Sequence, residues 1–409
     1  MQGITRLTLI CAGSLVLFSG AARAGWLFER DTTGGARVKK ILAAEDAEHR
    51  YVLLATTDAS QNGFQDILLV DELGHVRLMF NERGEGFTPP ETIAGPVNET
   101  PGPVALETSD VNLNNAEDII IANSVGEVYL VLAEGRGRFR SMTRISDALN
   151  PDGGPMCIRV SDVDADNDED IVFGNSEGTL YQIENIGMGN FGRAAVITRI
   201  PNLAPGPYNF VFSDLGFNNY EDIILADSKG TVFLIENHRG SFSSPREVAG
   251  PFSSTPGNVV LGIADYDYDG DDDIVMLLGS GALILIENTG RGAFARQPKQ
   301  IAPPLGPEGG VRQLALSDIE AETSEDFVVV NSKGSVHIVE NDGRGNYGAP
   351  RTIAQNIEMA PGAVTVVRDD VSANGAEDAL ILDAAGNLFV VYGEQQLVVD
   401  HTSDLGADS

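Results

Sequence analysis

The sequence predicts an all-β fold: a seven-bladed β-propeller of four-stranded antiparallel blades. Three observations predict it. First, an aspartate opens a short polar loop at Asp58, Asp110, Asp162, Asp214, Asp265, Asp318 and Asp370, with spacings of 52, 52, 52, 51, 53 and 52 residues. Second, another aspartate closes each loop eight residues later, at Asp66, Asp118, Asp170, Asp222, Asp273, Asp326 and Asp378. Third, the stretches between loops alternate apolar and polar residues with period two and are cut by Gly and Asn turns, with no helical period beyond the N-terminal leader. So regular a period marks one unit copied seven times. Four-stranded units of this length, repeated radially, make a propeller. A solenoid is the alternative, but it needs capping ends and usually has shorter repeats.

In chain order, residues 1–24 read as a secretory signal. Arg6 is its positive start, residues 7–18 are mostly apolar, and Ala22-Arg23-Ala24 is a small-x-small cleavage site before Gly25. The apolar run is too short to span a bilayer, and Cys11 lacks the preceding small residues of a lipoprotein site. A secreted or periplasmic protein, cleaved after Ala24, is expected. Residues 25–35 form a lead, 36–400 the propeller and 401–409 a tail. Loss of Arg6 and Arg23 takes the formal charge from -33 to -35 and leaves Cys157 as the only thiol, which excludes an internal disulfide. So acidic a surface repels nucleic acid and anionic lipid, suits divalent cations or a salty medium, and leaves a monomeric propeller without membrane insertion as the expectation.

The second copy shows the unit. Residues 103–109 alternate as a first strand, with Val104, Leu106 and Thr108 on one face. The loop 110–118 follows, then Ile119-Ile120-Ile121 as the second strand, the turn Asn123-Ser124-Val125-Gly126 and a third strand over 128–132. Gly135-Arg136-Gly137 turns the chain again, and Phe139 is expected to open a more polar fourth strand. Phe87, Phe191, Phe242, Phe294 and Tyr347 mark the same place in other copies. Pro-Gly pairs precede the first strand at Pro101, Pro205, Pro256 and Pro361.

The ends are expected to close the ring. Residues 36–42 read as a fourth strand with no blade before it, and they complete blade seven. The tail over 395–400, where Val399 falls at the aromatic's place, competes for that position.

The loop pattern is D-x-[DN]-x-[DN]-[GN]-x-x-D. Oxygens at positions 1, 3, 5 and 9 converge if the chain coils tightly, and Gly or Asn at position 6 permits the left-handed turn required. Several hard oxygen ligands suit Ca²⁺ better than soft-ligand metals. Position 12 is Phe173 in copy three and Met276 in copy five, so the bidentate Glu of an EF-hand is missing, and a strand follows in place of a helix.

On the aspartate loop, the Asp-Ile-[IV] strand after it and the Gly-Arg-Gly-x-Phe turn, residues 36–400 resemble the FG-GAP/VCBS repeat propellers, which include integrin α-subunit propellers, fungal lectins and exported bacterial proteins. The resemblance implies that the loop joins the first two strands of each blade and holds Ca²⁺ on one face of the disc.

The copies are unequal. Asp265, Asp267, Asp269 and Asp273 form the most charged set, followed by Asp162, Asp164, Asp166 and Asp170. Three further candidates carry fewer charges: Asp110, Asn112, Asn114 and Asp118; Asp58, Ser60, Asn62 and Asp66; Asp370, Ser372, Asn374 and Asp378. Two strong Ca²⁺ sites, and up to five in all, are expected. Copy four has Gly216 at position 3, and copy six has Glu320, Glu322 and Thr323, so both are read as eroded. An eroded copy is expected to be a solvated turn whose aspartates bond loop amides.

Gly174-Asn175-Ser176-Glu177-Gly178 matches a nucleophile elbow, but it is one copy of a repeated hairpin and no helix follows. Gly187 to Gly192 and Gly343 to Gly348 match a dinucleotide fingerprint on the same terms. His49, His75, His238, His337 and His401 share no ligand spacing, and Arg136, Arg291 and Arg344 are expected to pair with nearby acids. No catalytic residue is predicted. The connections between blades, opposite the aspartate loops, are where a protein or glycan ligand would bind. The first expectation is a non-catalytic, calcium-binding interaction or adhesion scaffold. A carbohydrate-binding propeller is the alternative, weakened because the one Trp, Trp26, lies outside the repeats. An exported polysaccharide-active enzyme is the third.

Overall fold

The computed structural model describes residues 37–44, 50–267, 269–305, 312–317, 326–342, 346–362, 364–374 and 377–393. The predicted signal, the lead and the tail, like most of the copy-six loop, lie outside these residues. Among the described residues, no helix is long and apolar enough to cross a membrane.

Seven four-stranded antiparallel sheets form the molecule. Blade one is typical, with strands Tyr51–Thr57, Asp66–Asp71, Val76–Met79 and Glu91–Ala94. The first strands stand side by side: Tyr51–Thr57, Ala105–Ser109, Cys157–Ser161, Asn209–Ser213, Val260–Ala264, Arg312–Ser317 and Thr365–Asp369. Each contacts the next, and the seventh contacts the first, so the ring is closed.

Burial follows position in the blade. The second strands, such as Asp170–Gly174 and Asp273–Leu277, are buried along their whole length. A strand covered on both faces by neighbouring blades must be apolar at every residue, which explains the unbroken Ile, Val and Leu runs. The fourth strands, such as Arg246–Ala249, are mostly exposed and accordingly polar. Each seam between blades is one hydrophobic cluster. Ile224, Leu234, Leu261, Met276 and Ile286, for example, fill the seam between blades four and five.

The N-terminal strand Val38–Leu42 is the fourth strand of blade seven. It pairs antiparallel with Leu388–Val391, with Val38 opposite Val391 and Leu42 opposite Leu388. The Tyr392 amide donates to the Arg37 carbonyl at 2.9 Å. Ring closure by the N-terminal strand is therefore as expected; Ala36 and the competing tail lie outside the described residues.

One local expectation is corrected. The recurring aromatic does not open the fourth strand. Phe87, Phe191, Phe242, Phe294 and Tyr347 each make an isolated bridge back to an Asn at the end of the third strand, and the fourth strand starts later. The physical reason is burial: each of these rings packs into the seam with the preceding blade. The aromatic is a seam plug held by a tight turn. The arginine of that turn is also differently explained. Arg136 and Arg291 sit at φ 57° and 56°, and among the described residues neither makes an ion pair within 4 Å.

Candidate metal centre

Each aspartate loop connects the first and second strands of a blade, so all lie on one face of the ring. Their coiling is built from side-chain acceptors. In blades one to five the opening aspartate accepts from the amides of positions 5 and 6, and in blade seven Asp370 accepts from the position-5 amide of Asn374. In blade three, Asp162 takes Asp166 N at 3.1 Å and Asn167 N at 3.0 Å; in blade five, Asp265 takes Asp269 N and Gly270 N, both at 3.0 Å. Position 5 then accepts from position 7, as Asp166 does from Asp168 N and Asp269 from Asp271 N. Position 6 is left-handed as predicted, with Asn167 at φ 71° and Gly270 at φ 95°. Position 4 is left-handed too, at Gln61, Leu113, Ala165, Phe217 and Ala373, which no Gly or Asn signal announced.

The closing aspartate has a separate task. In all seven blades its Oδ1 accepts a backbone amide fifteen residues later: Asn81, Ala133, Asn185, Asn237, Asn288, Asn341 and Gly393, at 2.7–2.9 Å. These carboxyls are almost fully buried. Burial pushes Asp118, Asp170 and Asp273 up to about 7 and Asp222 up to about 6. Their aspartates therefore tie the loop to the end of the third strand whether or not a cation is present.

The second carboxylate oxygen separates the copies. In blade one it accepts Ser60 N at 2.9 Å, in blade two Asn112 Nδ2 at 2.6 Å, and in blade seven Ser372 N at 2.8 Å. The position-5 asparagines also turn their amides inward. Asn114, Asn218 and Asn374 donate to the carbonyls of Ala133, Asn237 and Gly393 at 2.8, 2.9 and 3.0 Å. These loops satisfy themselves with N–H donors.

Blade five has no such donor at Asp273 Oδ2, and in blade three Asp170 Oδ2 accepts from Gln182 Nε2 at 2.9 Å, on the third strand and outside the loop. Their position-5 residues are Asp166 and Asp269, which accept only. Carboxylate oxygens of Asp162, Asp164 and Asp166 come within 4.8 Å of one another, as do those of Asp265, Asp267 and Asp269. Two buried carboxylate oxygens in these two blades have no hydrogen-bond partner: Asp164 Oδ1 and Asp273 Oδ2. Burial, followed by repulsion from neighbouring acids, raises the Asp164 and Asp267 carboxyls. An acceptor-only cluster with orphaned oxygens fits a hard divalent cation. Of the twenty candidate ligands, the structure thus brings three acids together in each of blades three and five. In blades one, two and seven it fills the equivalent space with Ser and Asn donors.

Sequence reasoning missed the asparagine that ends the third strand. Asn81, Asn185, Asn237 and Asn341 each donate from Nδ2 to a carbonyl in the loop of the preceding blade: Val371, Val111, Val163 and Tyr266, at 2.8, 2.8, 2.7 and 3.1 Å. The residue is an inter-blade clamp. Its signal was present, since an Asn recurs five or six residues before each turn aromatic in five copies. Blade two has Ala133 instead, and there Gly137 N donates to the Ala59 carbonyl at 2.7 Å.

The enzyme-like motifs have structural roles. Ser176 donates from N and Oγ to Asn150 Oδ1 at 3.0 and 2.8 Å, tying the hairpin to the blade connection. Gly187 to Gly192 is the seam-plug turn, with Ile186 N donating to the Asn190 carbonyl at 2.7 Å. His75 bonds Asp71 at 2.9 Å in a hairpin.

Fold and loops together define a seven-bladed propeller built on aspartate-loop repeats. Residues 110–173 match the FG-GAP-like repeat family. Comparison with curated protein sequences finds no match. Among solved structures, the chain is similar to the BP39L lectin from Burkholderia pseudomallei, at TM-score 0.67 and 19% identity over 85% of this chain and 98% of that one. It is similar to an Agrocybe aegerita lectin that recognises non-reducing terminal N-acetylglucosamine, at 0.62 and 18% over 83% and 86%. It is also similar to BBS1N, solved in complex with ARL6DN, at 0.53 and 12% over 92% and 99%. At these identities the likeness is one of fold.

Proposed function

We propose that this protein is an exported, non-catalytic interaction scaffold whose ring is stabilised by Ca²⁺ at blades three and five. The observation that carries the calcium reading is the pair of acid triads whose carboxylate oxygens converge within 4.8 Å in blades three and five, whereas copies one, two, four and seven carry an asparagine at position 5. Asp162, Asp164 and Asp166, with Asp170 beside them, would hold one ion. Asp265, Asp267, Asp269 and Asp273 would hold the other. The cation neutralises carboxylates that otherwise repel, and so stabilises the folded ring.

The non-catalytic reading rests on what became of the candidate motifs. The serine of the elbow-like sequence is bonded into a hairpin. The glycine-rich turns lead to strands. With the loop face committed to structure, the opposite face, made of blade connections and hairpins, is left to meet a partner protein. The test is a thermal melt of the mature protein with Ca²⁺ and with chelator. One site at a hundredfold excess over Kd is worth about 2.7 kcal/mol, so removal of two ions lowers Tm by several degrees. An unchanged Tm would refute the calcium reading.

A second reading, carbohydrate binding, is favoured by one feature. A cleft of about 150 Å³ lies on the connection face, lined by Asn150, Asp152, Ser176, Glu177, Thr179 and Tyr181. Polar groups around an aromatic ring suit a sugar. The two lectins bring this reading to mind by fold alone. A glycan array with and without Ca²⁺ separates the readings, because a scaffold for protein gives no glycan signal.

A further inference from the structure

Six large apolar side chains stand exposed among the described residues, and five of them belong to blades two and three: Leu113, Val125, Ile186, Met188 and Val196, with Phe217 in blade four. Three of the five share one seam on the loop face. Leu113 is position 4 of the blade-two loop, and Ile186 and Met188 belong to the turn after the third strand of blade three. They are 60%, 65% and 77% exposed. That turn is seated on that loop. Asn185 Nδ2 donates to the Val111 carbonyl at 2.8 Å. A Cβ on Gly189 would lie 3.3 Å from Asn112 Cβ and 3.7 Å from Val111 Cγ2. Met188 and Leu113 are thus each one residue from the contact between the two segments.

The other blades show that the frame does not require these side chains. Met188 has φ 55°, and the same left-handed place before a glycine is Arg83, Arg136, Arg239 and Arg291 elsewhere, at φ 56–61°. Ile186 stands where blades one, two, four and five carry Glu82, Glu134, His238 and Thr289. Position 4 is Gln61, Ala165 and Ala373 in blades one, three and seven, left-handed like Leu113. Polar or small residues meet the fold's demands at all three places. The apolar ones are too exposed to contribute much packing, which leaves an outward surface as their use.

The border of this surface is acidic. Asp168 Oδ2 lies 3.8 Å from the Cβ position of Gly187. The Cβ position of Gly192 has Glu184 Cβ at 3.9 Å and Ile186 Cγ2 at 4.0 Å. Arg193 is the neighbouring cation, and the arginine that other turns add is the one Met188 replaces. A second copy of this chain, at net charge -33, brings like charge to such a border, and an anionic membrane does the same. A protein segment that combines apolar and basic side chains gains twice: it covers Leu113, Ile186 and Met188, and it meets Asp168 and Glu184 with opposite charge.

We propose that the loop face at the seam between blades two and three docks a partner protein through a segment of that kind. This surface is additional to the connection face and uses no calcium ion.

The test presents the mature protein to a random peptide library displayed on phage, and selected clones are remade as labelled synthetic peptides. Two substitutions return the surface to residues that the repeat itself uses: Leu113→Gln takes the blade-one residue, and Met188→Arg takes that of blades one, two, four and five. Both should leave Tm unchanged, because other blades carry those residues on the same backbone. Selected peptides should combine apolar residues with Lys or Arg. They should lose about tenfold or more in affinity on either substitution, as for a central interface contact. Their binding should also weaken with added salt. Phe217→Ala, which removes an exposed apolar group from the next blade, should change nothing. A library that yields no such clone, or clones that bind the substituted proteins as well as the parent, overturns the proposal. So does a parent that sediments as a dimer while Leu113→Gln sediments as a monomer, because the occupant is then a second copy. Neither substitution touches a candidate ligand, so the result stands apart from the metal reading.

Discussion

Blades four and five are neighbours with the same loop backbone and different fillings. In blade four, Asn218 gives its amide to the Asn237 carbonyl at 2.9 Å, so the donor is part of the chain. In blade five, Asp269 stands in place of the asparagine, and Asp273 Oδ2 is buried without a partner. One copy completes itself, while the other offers only acceptors. The loop is therefore a scaffold in both, and the cation site proposed above is confined to copies that offer acceptors only. The closing aspartate is buried in both because it pins the third strand in both.

The comparison breaks most sharply if that buried pin is removed. Asp222→Ala and Asp273→Ala each strand a buried backbone amide, Asn237 N or Asn288 N, at a cost of about 1–3 kcal/mol even in chelator. In Ca²⁺ the blade-five variant should lose a further increment of about 2.7 kcal/mol, and the blade-four variant should not. Denaturant melts of both proteins, with and without Ca²⁺, give the four numbers. Equal losses in Ca²⁺ would mean that blade five holds no ion.

Asp269→Asn converts the blade-five loop toward the blade-four pattern. The new amide can donate to the Asn288 carbonyl as Asn218 does to Asn237. In chelator the variant should be more stable than the parent by about 1 kcal/mol, one net hydrogen bond with less repulsion. In Ca²⁺ it should be less stable, because a charged ligand is gone. A crossing of the two melting orders is the result that checks it.

Clamp and loop can be separated in the same way. Asn237→Ala removes the bonds to Val163 and Glu221 carbonyls across and within the seam. A loss of about 1 kcal/mol, equal in Ca²⁺ and chelator, is expected by equilibrium unfolding. A calcium-dependent loss would show that clamp and metal are coupled.

Much of this was legible in the sequence. The Asp-to-Asp spacing gave the blades, and the unpaired strand near the N-terminus gave the closure, because both follow from counting residues. The difference between Asp269 and Asn218 was visible as charge, but its meaning was not. Whether an asparagine coordinates or donates depends on which carbonyl faces it, and that carbonyl lies nineteen residues away. The clamp asparagines were missed for a similar reason. Their partners sit in the preceding blade, at a separation that no local pattern reports. The turn aromatics were misread as strand starts because a ring entering a seam and a ring beginning a strand have the same one-letter signature.

The pH dependence sharpens the contrast further. Burial raises the closing carboxyls, from an ordinary 3.8 up to about 7 for Asp273 and about 6 for Asp222. A folded pKa above the unfolded value means that the folded state binds more protons between the two. Without metal, stability should therefore fall as pH rises from about 4 to about 7 and level off beyond. A Ca²⁺ ion bound as proposed would take the deprotonated form of Asp273 and oppose that fall. Melts in chelator and in Ca²⁺ across this range should diverge with rising pH. In chelator, Asp273→Asn should flatten the curve between about pH 4 and 7 and Asp222→Asn between about pH 4 and 6, so that only the first variant changes the slope above pH 6. Parallel curves would argue against these groups as the titrating set.

The smallest expected effect is at the blade that lost its clamp. Ala133 occupies the clamp position in blade two, and the simple expectation is that Ala133→Asn would restore a bond and stabilise the ring. The structure argues otherwise. The Ala59 carbonyl, the acceptor that the restored amide would seek, already takes Gly137 N at 2.7 Å. The turn around it has rearranged into a short ribbon, Ala133–Gly135 against Arg138–Phe139. An added amide would have to share that acceptor or displace Gly137, and displacing a satisfied donor costs as much as the new bond gains. Ala133→Asn should therefore change stability by less than about 0.5 kcal/mol, against about 1 kcal/mol for loss of the clamp in blade four. A gain that matches the blade-four loss would show that the seam between blades one and two is under-bonded, and that Gly137 fills the vacancy poorly.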